Sequence, residues 1–393
     1  MNHVAILLLA PFVSGAEHQT LALCRYLRRR CRVTLFANDE LVHLLATDPF
    51  LCQYTAGLDV QPLGSAFPAA AAATPRGLLA RGLLYPRLQR AAWDRLRRLR
   101  PDVVHLLLAP SFFAYAPLFH LLPYPTVLTL SGEMRYARHF YGPTKRAAVR
   151  YAVARADALV VCSADELINL TAVSPQAVER AALLDNFTDV ARFAPAAPLP
   201  EAGASEGNPT PAKEPLVTFA ARLHPEKGAL LFLDAVARVH AIRPEARFAL
   251  MGKGEMEPQV SRQLVALGLT GAVTRGFTTD LAPLLARSAV FVSCQRYENL
   301  GSSSLLEAMA SANAVVATDV GQTWRIVDDT VGCRVAADAP AIAGAISALI
   351  AEPDRAARLG RAARERVLER YGPEPYVERI LEVYARAQRR RAR

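Results

Sequence analysis

Apolar and polar positions in this chain alternate in blocks. In the first half VAILLLAP, RVTLFAN, VVHLLLAP, TVLTLSG and ALVVCSA are short, continuous apolar runs. Between most of them lie stretches with helical spacing, such as GAEHQTLALCRYLRRR. In the second half PLVTFAARL, ARFALMGKG, AVTRGF, VFVSC and AVVATDV repeat the arrangement. Continuous apolar strands separated by helices predict parallel sheets covered on both faces. At 393 residues the chain is too long for one ordinary core, and 52% apolar composition is enough to build two. Residues 195–215, PAAPLPEAGASEGNPTPAKEP, are rich in Pro, Ala, Gly and Ser and read as a linker. The expected architecture is α/β: two doubly wound, Rossmann-like parallel-sheet domains facing a cleft. Their expected spans are 1–194 and 216–372. Residues 373–393 form a last amphipathic helix, which either ends the second domain or crosses back to the first.

Composition narrows the setting. No apolar run reaches the 18 or so residues of a membrane span. MNHVAILLLAP has no cationic n-region and no small-residue cleavage site, so it reads as a first buried strand. Six scattered cysteines without a CxxC predict reduced thiols in a cytoplasmic setting and no metal site. The net charge of +10 is partly local, because eight arginines face one acid, Asp94, between Arg76 and Arg100. On a helical wheel Leu84, Leu88, Ala92, Leu96 and Leu99 form one stripe, with Arg87, Arg90, Arg97 and Arg98 opposite. Two readings stay open: a solvated helix face, or peripheral contact with an anionic membrane. Nucleic acid is not an expected partner, since zinc spacing, a recognition helix and aromatic-interleaved basic strands are all missing from the sequence.

In doubly wound sheets ligands bind beyond the carboxyl ends of the strands. Four loops there carry candidate chemistry. Ser14–Gly15 precedes a helix, where amides could meet an anion or simply make a turn. In AARLHPEKGALLF, Arg222 ends a strand and Lys227 precedes Gly228 and a helix. A forked guanidinium and a point-charge ammonium there could converge on a phosphate; a solvated lysine and a paired arginine are the plain alternative. MGKGEM sets Gly252 in a Gly-x-Gly after a strand, consistent with close approach of a ligand but without the third glycine of a dinucleotide fingerprint. YENLGSSSLLEAMAS sets Glu298 and Glu307 around Gly301, Ser302, Ser303 and Ser304. Glu307 shares a helix face with Ser303, Ser304 and Ser311, while Leu305, Leu306 and Met309 face inward. Glu307 is either a surface acid or the acceptor for a ribose diol, with Ser and Gly amides holding a phosphate nearby. No Asp-x-Asp occurs, so a nucleotide diphosphate would rely on Arg222, Lys227 and helix N-termini rather than a metal.

These residues resemble the retaining glycosyltransferases of family 4, which have the GT-B fold. The matching pieces are AARLHPEKG, FALMGKGEM, VTRGFTTDLAPLLARSAVFVSC, YENLGSSSLLEAMAS and AVVATDVGQTWRIVDD, in that order. SGAEHQTLALCRYLRRRCRVTLF, PDVVHLLLAP, ADALVVCSADE and LLDNFTDVARF match more loosely. The resemblance implies that Arg222 and Lys227 bind the donor diphosphate, Glu307 holds the ribose and Glu298 lies near the transferred sugar. It places Gly15 near the phosphates and acceptor, and Asn186 with Asp189 in a segment usually written Asn-Gly-Val-Asp. It matches His105 to a histidine at a strand end, and Ser131 to a strand end where many members carry a sugar-contacting histidine. This sequence departs from the family at several points. Eight residues separate the two glutamates where seven is usual, Phe187 follows Asn186, Leu107 replaces a second histidine, and Arg325 replaces a common acid.

The expected function is a metal-independent, retaining glycosyltransferase without a cofactor. It would use a nucleotide-diphosphate sugar, UDP- or GDP-linked, and a glycan, lipid-linked or small-molecule acceptor. A nucleotide-sugar epimerase on the same fold and a non-catalytic nucleotide-sugar binder are the alternatives. The expected location is the cytoplasm, either free or at the inner membrane face.

Overall fold

The computed structural model describes residues 1–66, 75–195, 213–299 and 302–392, with side chains left undescribed at 75–84. Two compact units emerge, Met1–Asn186 with Pro373–Arg393, and Phe187–Gly372. The expected boundary at residue 194 therefore moves to 186, because residues 187–195 pack with the second unit: Phe193 is buried among Leu306, Ala310 and Ala363. Most of the expected linker, residues 196–212, lies outside the described residues, and its last two residues, Glu214 and Pro215, already belong to a strand.

The first unit is built on a seven-stranded sheet. Its strands are β1 (His3–Leu8), β2 (Arg32–Ala37), β3 (Asp59–Pro62), β4 (Val103–Leu107), β5 (Thr126–Leu130), β6 (Ala158–Val161) and β7 (Ala181–Leu183). The order is β3-β2-β1-β4-β5-β6-β7, and every pairing is parallel. Val4 to Leu8 are wholly buried, as expected of a strand covered on both faces. One face packs on the helix Pro75–Leu99 through Leu88, Ala92 and Leu96, which settles the direction of that helix's apolar stripe. Arg87, Arg90, Arg97 and Arg98 stay exposed. The helix Pro373–Arg391 belongs to this unit and buries Val377, Ile380, Tyr384 and Ala387, one stripe at helical spacing.

His105 departs from expectation. It lies within β4, paired in register with Ile6 and Val127, and is fully buried. Alternation along the strand turns it away from the face of Val104 and Leu106. Its Nδ1 is 2.7 Å from Tyr384 Oη and its Nε2 is 2.7 Å from Thr129 Oγ1. Both ring nitrogens are occupied, so His105 ties the last helix to the sheet and is not presented to a sugar. Burial pushes its pKa down to about 3 from the usual 6.5. Between those values the unfolded chain binds a proton that the folded one does not, so this contribution to stability is lost as pH falls below 6.5. We expect His105→Ala to destabilise the first unit by about 3 kcal/mol at neutral pH, through a cavity and two stranded hydroxyls. The gap in melting temperature between wild type and variant should narrow on acidification; a gap that widens would contradict a neutral buried imidazole.

The second unit carries β8 (Glu214–Ala220), β9 (Arg247–Met251), β10 (Val273–Gly276), β11 (Ser288–Ser293), β12 (Ala314–Thr318) and β13 (Gly332–Val335). The order is β10-β9-β8-β11-β12-β13, again all parallel. The chain winds outward from β8 to β10 and then restarts on the other side of β8 with β11. That reversal makes β8/β11 the topological switch point, where loops diverge and leave room for a ligand. No helix among the described residues is long and apolar enough to cross a membrane.

Candidate active site

The second unit's switch point gathers most of the expected residues. Arg222 follows β8 and is exposed, with no hydrogen bond or ion pair from its side chain to the described residues. Lys227 ends a short 3-10 turn, Pro225–Lys227, and its Nζ donates to Gln295 Oε1 at 3.2 Å. Gln295 is buried just past β11, and its carbonyl accepts from Thr318 Oγ1 at 2.5 Å. The Arg296 amide donates to the Glu226 carbonyl at 3.0 Å. The loops after β8, β11 and β12 are thus stitched together around Lys227. Gly228 allows this closeness: its φ is +71°, and a Cβ there would stand 2.1 Å from the Cys294 carbonyl oxygen.

The helix Ser303–Ala310 joins the same rim. Ser304 Oγ donates to the carbonyl of Ala220, the last residue of β8, at 2.7 Å. The first turn of this helix is therefore fastened two residues from Arg222. Leu305, Leu306 and Met309 are buried, as their spacing predicts. Glu307 is half-buried on the second turn. Burial raises its carboxyl to about 7; the Arg192 guanidinium pulls the other way, and Asp280 adds to the rise. Arg192 is itself held by Asp280 Oδ1 at 3.0 Å and the Thr279 carbonyl at 3.2 Å. Glu298 is half-buried in the loop after β11. Its neighbour Asn299 is buried, accepting from the Ser302 amide at 3.1 Å and reaching Thr323 Oγ1 at 3.4 Å. Gly301 lies outside the described residues. The structure brings Arg222, Lys227, Ser302, Ser303, Ser304 and Glu307 to one rim, with Glu298 on the adjoining loop.

Gly252 has a different reason for being glycine. A Cβ would meet the Ala221 carbonyl oxygen at 2.0 Å, and the Gly252 amide donates to Gly276 at 2.8 Å. The close approach is to the neighbouring strand end. Gln295, Asn299, Arg192 and Asp280 were not singled out from the sequence. Each acts through a partner distant in the chain, and no local pattern announces it.

The remaining expected residues belong to the first unit. Gly15 is exposed at the start of the helix Gly15–Leu27, but Glu17 Oε2 already accepts from the Ser14 amide (2.9 Å) and Ser14 Oγ (2.6 Å). A carboxylate of the protein thus occupies the cap expected to attract an anion. Ser131 follows β5 and is half-buried, its amide donating to Glu133 Oε2 at 2.5 Å. The buried Glu166 carboxylate takes the amides of Gly132, Met134 and Arg135 at 3.1, 2.7 and 3.2 Å. Burial, aided by Glu133, raises Glu166 to about 8, while the three amides oppose that rise. Asn186 is buried, and Asp189 Oδ1 accepts from the Arg192 amide at 3.3 Å in the second unit. Among the described residues no group of three or more His, Cys, Asp or Glu is placed to hold a metal ion.

Comparison with known proteins adds to this geometry. Residues 13–192 match the description Glycosyltransferase Family 4, and residues 214–352 match Glycosyl transferases group 1. The alpha-maltose-1-phosphate synthase of Mycolicibacterium smegmatis is 32% identical over 256 residues, 60% of this chain and 64% of that enzyme, so the match spans less than two thirds of its length. The alpha-D-kanosaminyltransferase of Streptomyces kanamyceticus is 26% identical over 68% of this chain and 69% of its own. Among solved structures, Anabaena HepE in complex with UDP-glucose superposes with a TM-score of 0.76 at 20% identity, covering 98% of this chain and 99% of that one. At that identity the likeness speaks for the fold.

Proposed function

The chain belongs to glycosyltransferase family 4 and has its GT-B-type fold, and from that premise we propose that it moves a sugar from a nucleotide-diphosphate donor with retention of configuration and without a metal ion. The observation that carries the reading is the fastening of Ser304 to the end of β8, which sets the Glu307 helix beside Arg222 and Lys227. Arg222 and Lys227 neutralise charge as it grows on the departing diphosphate. Glu307 accepts from the ribose hydroxyls, and amides at the start of its helix meet a phosphate. Glu298 stands on the sugar side. The acceptor oxygen attacks the anomeric carbon on the face that the diphosphate leaves. The anomeric C–O bond to phosphate breaks as the new one forms, and the acceptor's proton passes to the departing phosphate oxygen, so no protein base is needed. The rim carries its own cationic charge in Arg222 and Lys227, which supports a reaction needing neither metal nor cofactor. The relatives include an alpha-maltose-1-phosphate synthase and an alpha-D-kanosaminyltransferase, and HepE was solved with UDP-glucose; UDP-sugars therefore come first in a donor screen.

Thermal shift tests the reading directly. A ligand at about 100 times its Kd stabilises the native state by about 2.7 kcal/mol, several degrees in a domain of this size. One class among UDP-, GDP- and ADP-sugars should give that shift. No shift with any of them would remove the donor site.

The acceptor reading includes a surface. Leu88, Ala92 and Leu96 are committed to the core, and Arg87, Arg90, Arg97 and Arg98 offer exposed charge on the other side of the helix. We propose that this helix meets an anionic membrane and brings the enzyme to a lipid-linked acceptor, at about 1 kcal/mol per charge near such a surface. Sedimentation with phosphatidylserine vesicles at low salt should be abolished by reversing these four charges. If wild type stays in the supernatant, the membrane reading is lost and a soluble acceptor takes its place.

A further inference from the structure

The first unit has a second basic feature on the side of its sheet that carries the helix Pro75–Leu99. Leu88, Ala92 and Leu96 of that helix share one hydrophobic core with Met134 and Ala137 of the helix Glu133–His139, and with Val149, Ala152 and Val153 of the helix Pro143–Arg155. The chain leaves the carboxyl end of β5 at Leu130 and returns to the amino end of β6 at Ala158. The helix Pro143–Arg155 rises about 20 Å, enough to span the sheet from rim to rim. The turn at 140–142, just before it, therefore stands at the carboxyl-end rim, where such sheets bind ligands. From 134 to 156 the chain has six cations, Arg135, Arg138, Lys145, Arg146, Arg150 and Arg155, and no Asp or Glu. All but Arg135 are exposed, and none of those five forms an ion pair with the described residues. Arg138 donates to Asn169 Oδ1 at 3.2 Å and Arg146 to the Tyr141 carbonyl at 3.4 Å. In their midst Phe140 is 55% exposed. The buried Arg135 guanidinium lies 5.3 Å from the centre of its ring, and the Tyr136 ring lies 5.6 Å away. Ile168, 53% exposed, is the neighbour of Asn169 on the helix Ala164–Val173.

A single exposed apolar side chain needs no explanation. Two at one rim, among cations without carboxylate partners, mark an interaction surface. Five exposed like charges so close in the chain repel one another, and an anionic partner removes that cost. A soluble anion calls on the charge alone. A bilayer of anionic lipid also takes the apolar groups, since phenylalanine and isoleucine enter the interface while arginine and lysine stay at headgroup level. We propose that the turn at 140–142 is a membrane-insertion point: Phe140 and Ile168 enter the headgroup layer of an anionic bilayer, and Arg138, Lys145 and Arg146 pair with its phosphates. This deepens the acceptor reading above and rests on it for what the contact serves, which is to lay the rim at β5 against the bilayer that holds a lipid-linked acceptor. It adds apolar insertion to the charge of Arg87, Arg90, Arg97 and Arg98.

Flotation with vesicles of mixed phosphatidylserine and phosphatidylcholine, and with phosphatidylcholine alone, tests this. Wild type should float with the mixed vesicles and bind the neutral ones at least roughly 10-fold more weakly. Phe140→Ala should weaken binding to the mixed vesicles roughly 10-fold, as expected for an aromatic that is half-exposed beforehand, and Phe140→Leu should restore most of it. Lys145→Glu with Arg146→Glu should weaken it roughly 25-fold or more, at about fivefold per charge. The chain has two tryptophans, so Phe140→Trp in a background of Trp93→Phe and Trp324→Phe is the sole indole reporter. Its emission should shift to the blue with the mixed vesicles. Melting temperatures check that each variant is folded. Wild type that stays unbound, Phe140→Ala that floats as wild type does, or an unmoved emission from Phe140→Trp overturns the proposal. So does equal binding to neutral vesicles. If a single-stranded oligonucleotide moves the emission as far as the vesicles do, the partner is a soluble polyanion and the bilayer is excluded. Reversing Arg87, Arg90, Arg97 and Arg98 keeps the two contacts distinct. Flotation lost on that reversal but unchanged in Phe140→Ala would spare the first contact and sink this one, and the opposite pattern would do the reverse. The donor site is judged separately, because the thermal shift with donor should be the same in Phe140→Ala and wild type whichever contact fails.

Discussion

Arg222→Ala is expected to lower turnover by about two to three orders of magnitude, the loss seen when one preorganised donor to developing negative charge is removed. The fold should not notice. The Arg222 side chain is exposed and makes no hydrogen bond or ion pair to the described residues, so its removal should change stability by no more than about 0.5 kcal/mol. Arg222→Lys should restore part of the rate, because a point charge replaces the fork without its second hydrogen bond. Lys227→Met is expected to be nearly as damaging to turnover. It also leaves Gln295 Oε1 without its partner at 3.2 Å, so a small loss of melting temperature accompanies it. The measurement is initial rate with the donor picked out by thermal shift, alongside the melting temperature of each variant. Near-normal turnover in Arg222→Ala would detach the reaction from this rim. Wild-type protein that binds donor and never transfers or hydrolyses it would leave a nucleotide-sugar binder instead of an enzyme.

The parts of the fold legible in the sequence are those buried from both sides. β1, β4, β5, β11 and β12 read as apolar runs because helices cover both faces, and their positions follow without any tertiary knowledge. The strands that escape are β3, β7 and β13, all at sheet edges. DVQP and GCRV mix exposed and polar residues because an edge strand has one neighbour, and AAL is too short to show a pattern. The site follows a similar division. Arg222, Lys227, Ser304 and Glu307 are readable because a parallel sheet brings strand-end loops together whatever their spacing in the chain. Gln295 supports Lys227 from 68 residues away and Asp280 holds Arg192 from 88, distances at which no local pattern survives. His105 misleads for the same reason. The resemblance matches it to a strand-end histidine, yet its partner Tyr384 lies 279 residues later on a helix whose docking the local sequence does not encode.

Glu307→Gln should make the unliganded protein more stable at pH 8 and bind donor more weakly, two effects with one electrostatic origin. The carboxyl is raised from 4.5 to about 7 by burial beside Asp280, with Arg192 only partly offsetting it. Between those values the folded chain holds a proton that the unfolded chain has released, so stability from this group falls as pH rises through the window. Above about 7 the folded protein carries a half-buried charge, which the isosteric amide lacks. The melting temperature of Glu307→Gln should therefore exceed that of wild type at pH 8, and the difference should vanish as pH falls toward 4.5. Donor binding runs the other way. An ionised carboxylate accepting from ribose hydroxyls makes charge-assisted bonds of about 1.5–3 kcal/mol each, so losing one should weaken donor binding roughly 10- to 100-fold. Wild-type affinity should rise with pH through 7 as the acceptor ionises, and the Gln variant should lose that dependence. Arg192→Met should move the wild-type rise to higher pH, because Arg192 supplies the positive charge that favours ionisation. Undiminished donor affinity in Glu307→Gln would remove this residue from the ribose. A variant less stable than wild type at pH 8 would instead show that burial does not disfavour the charge.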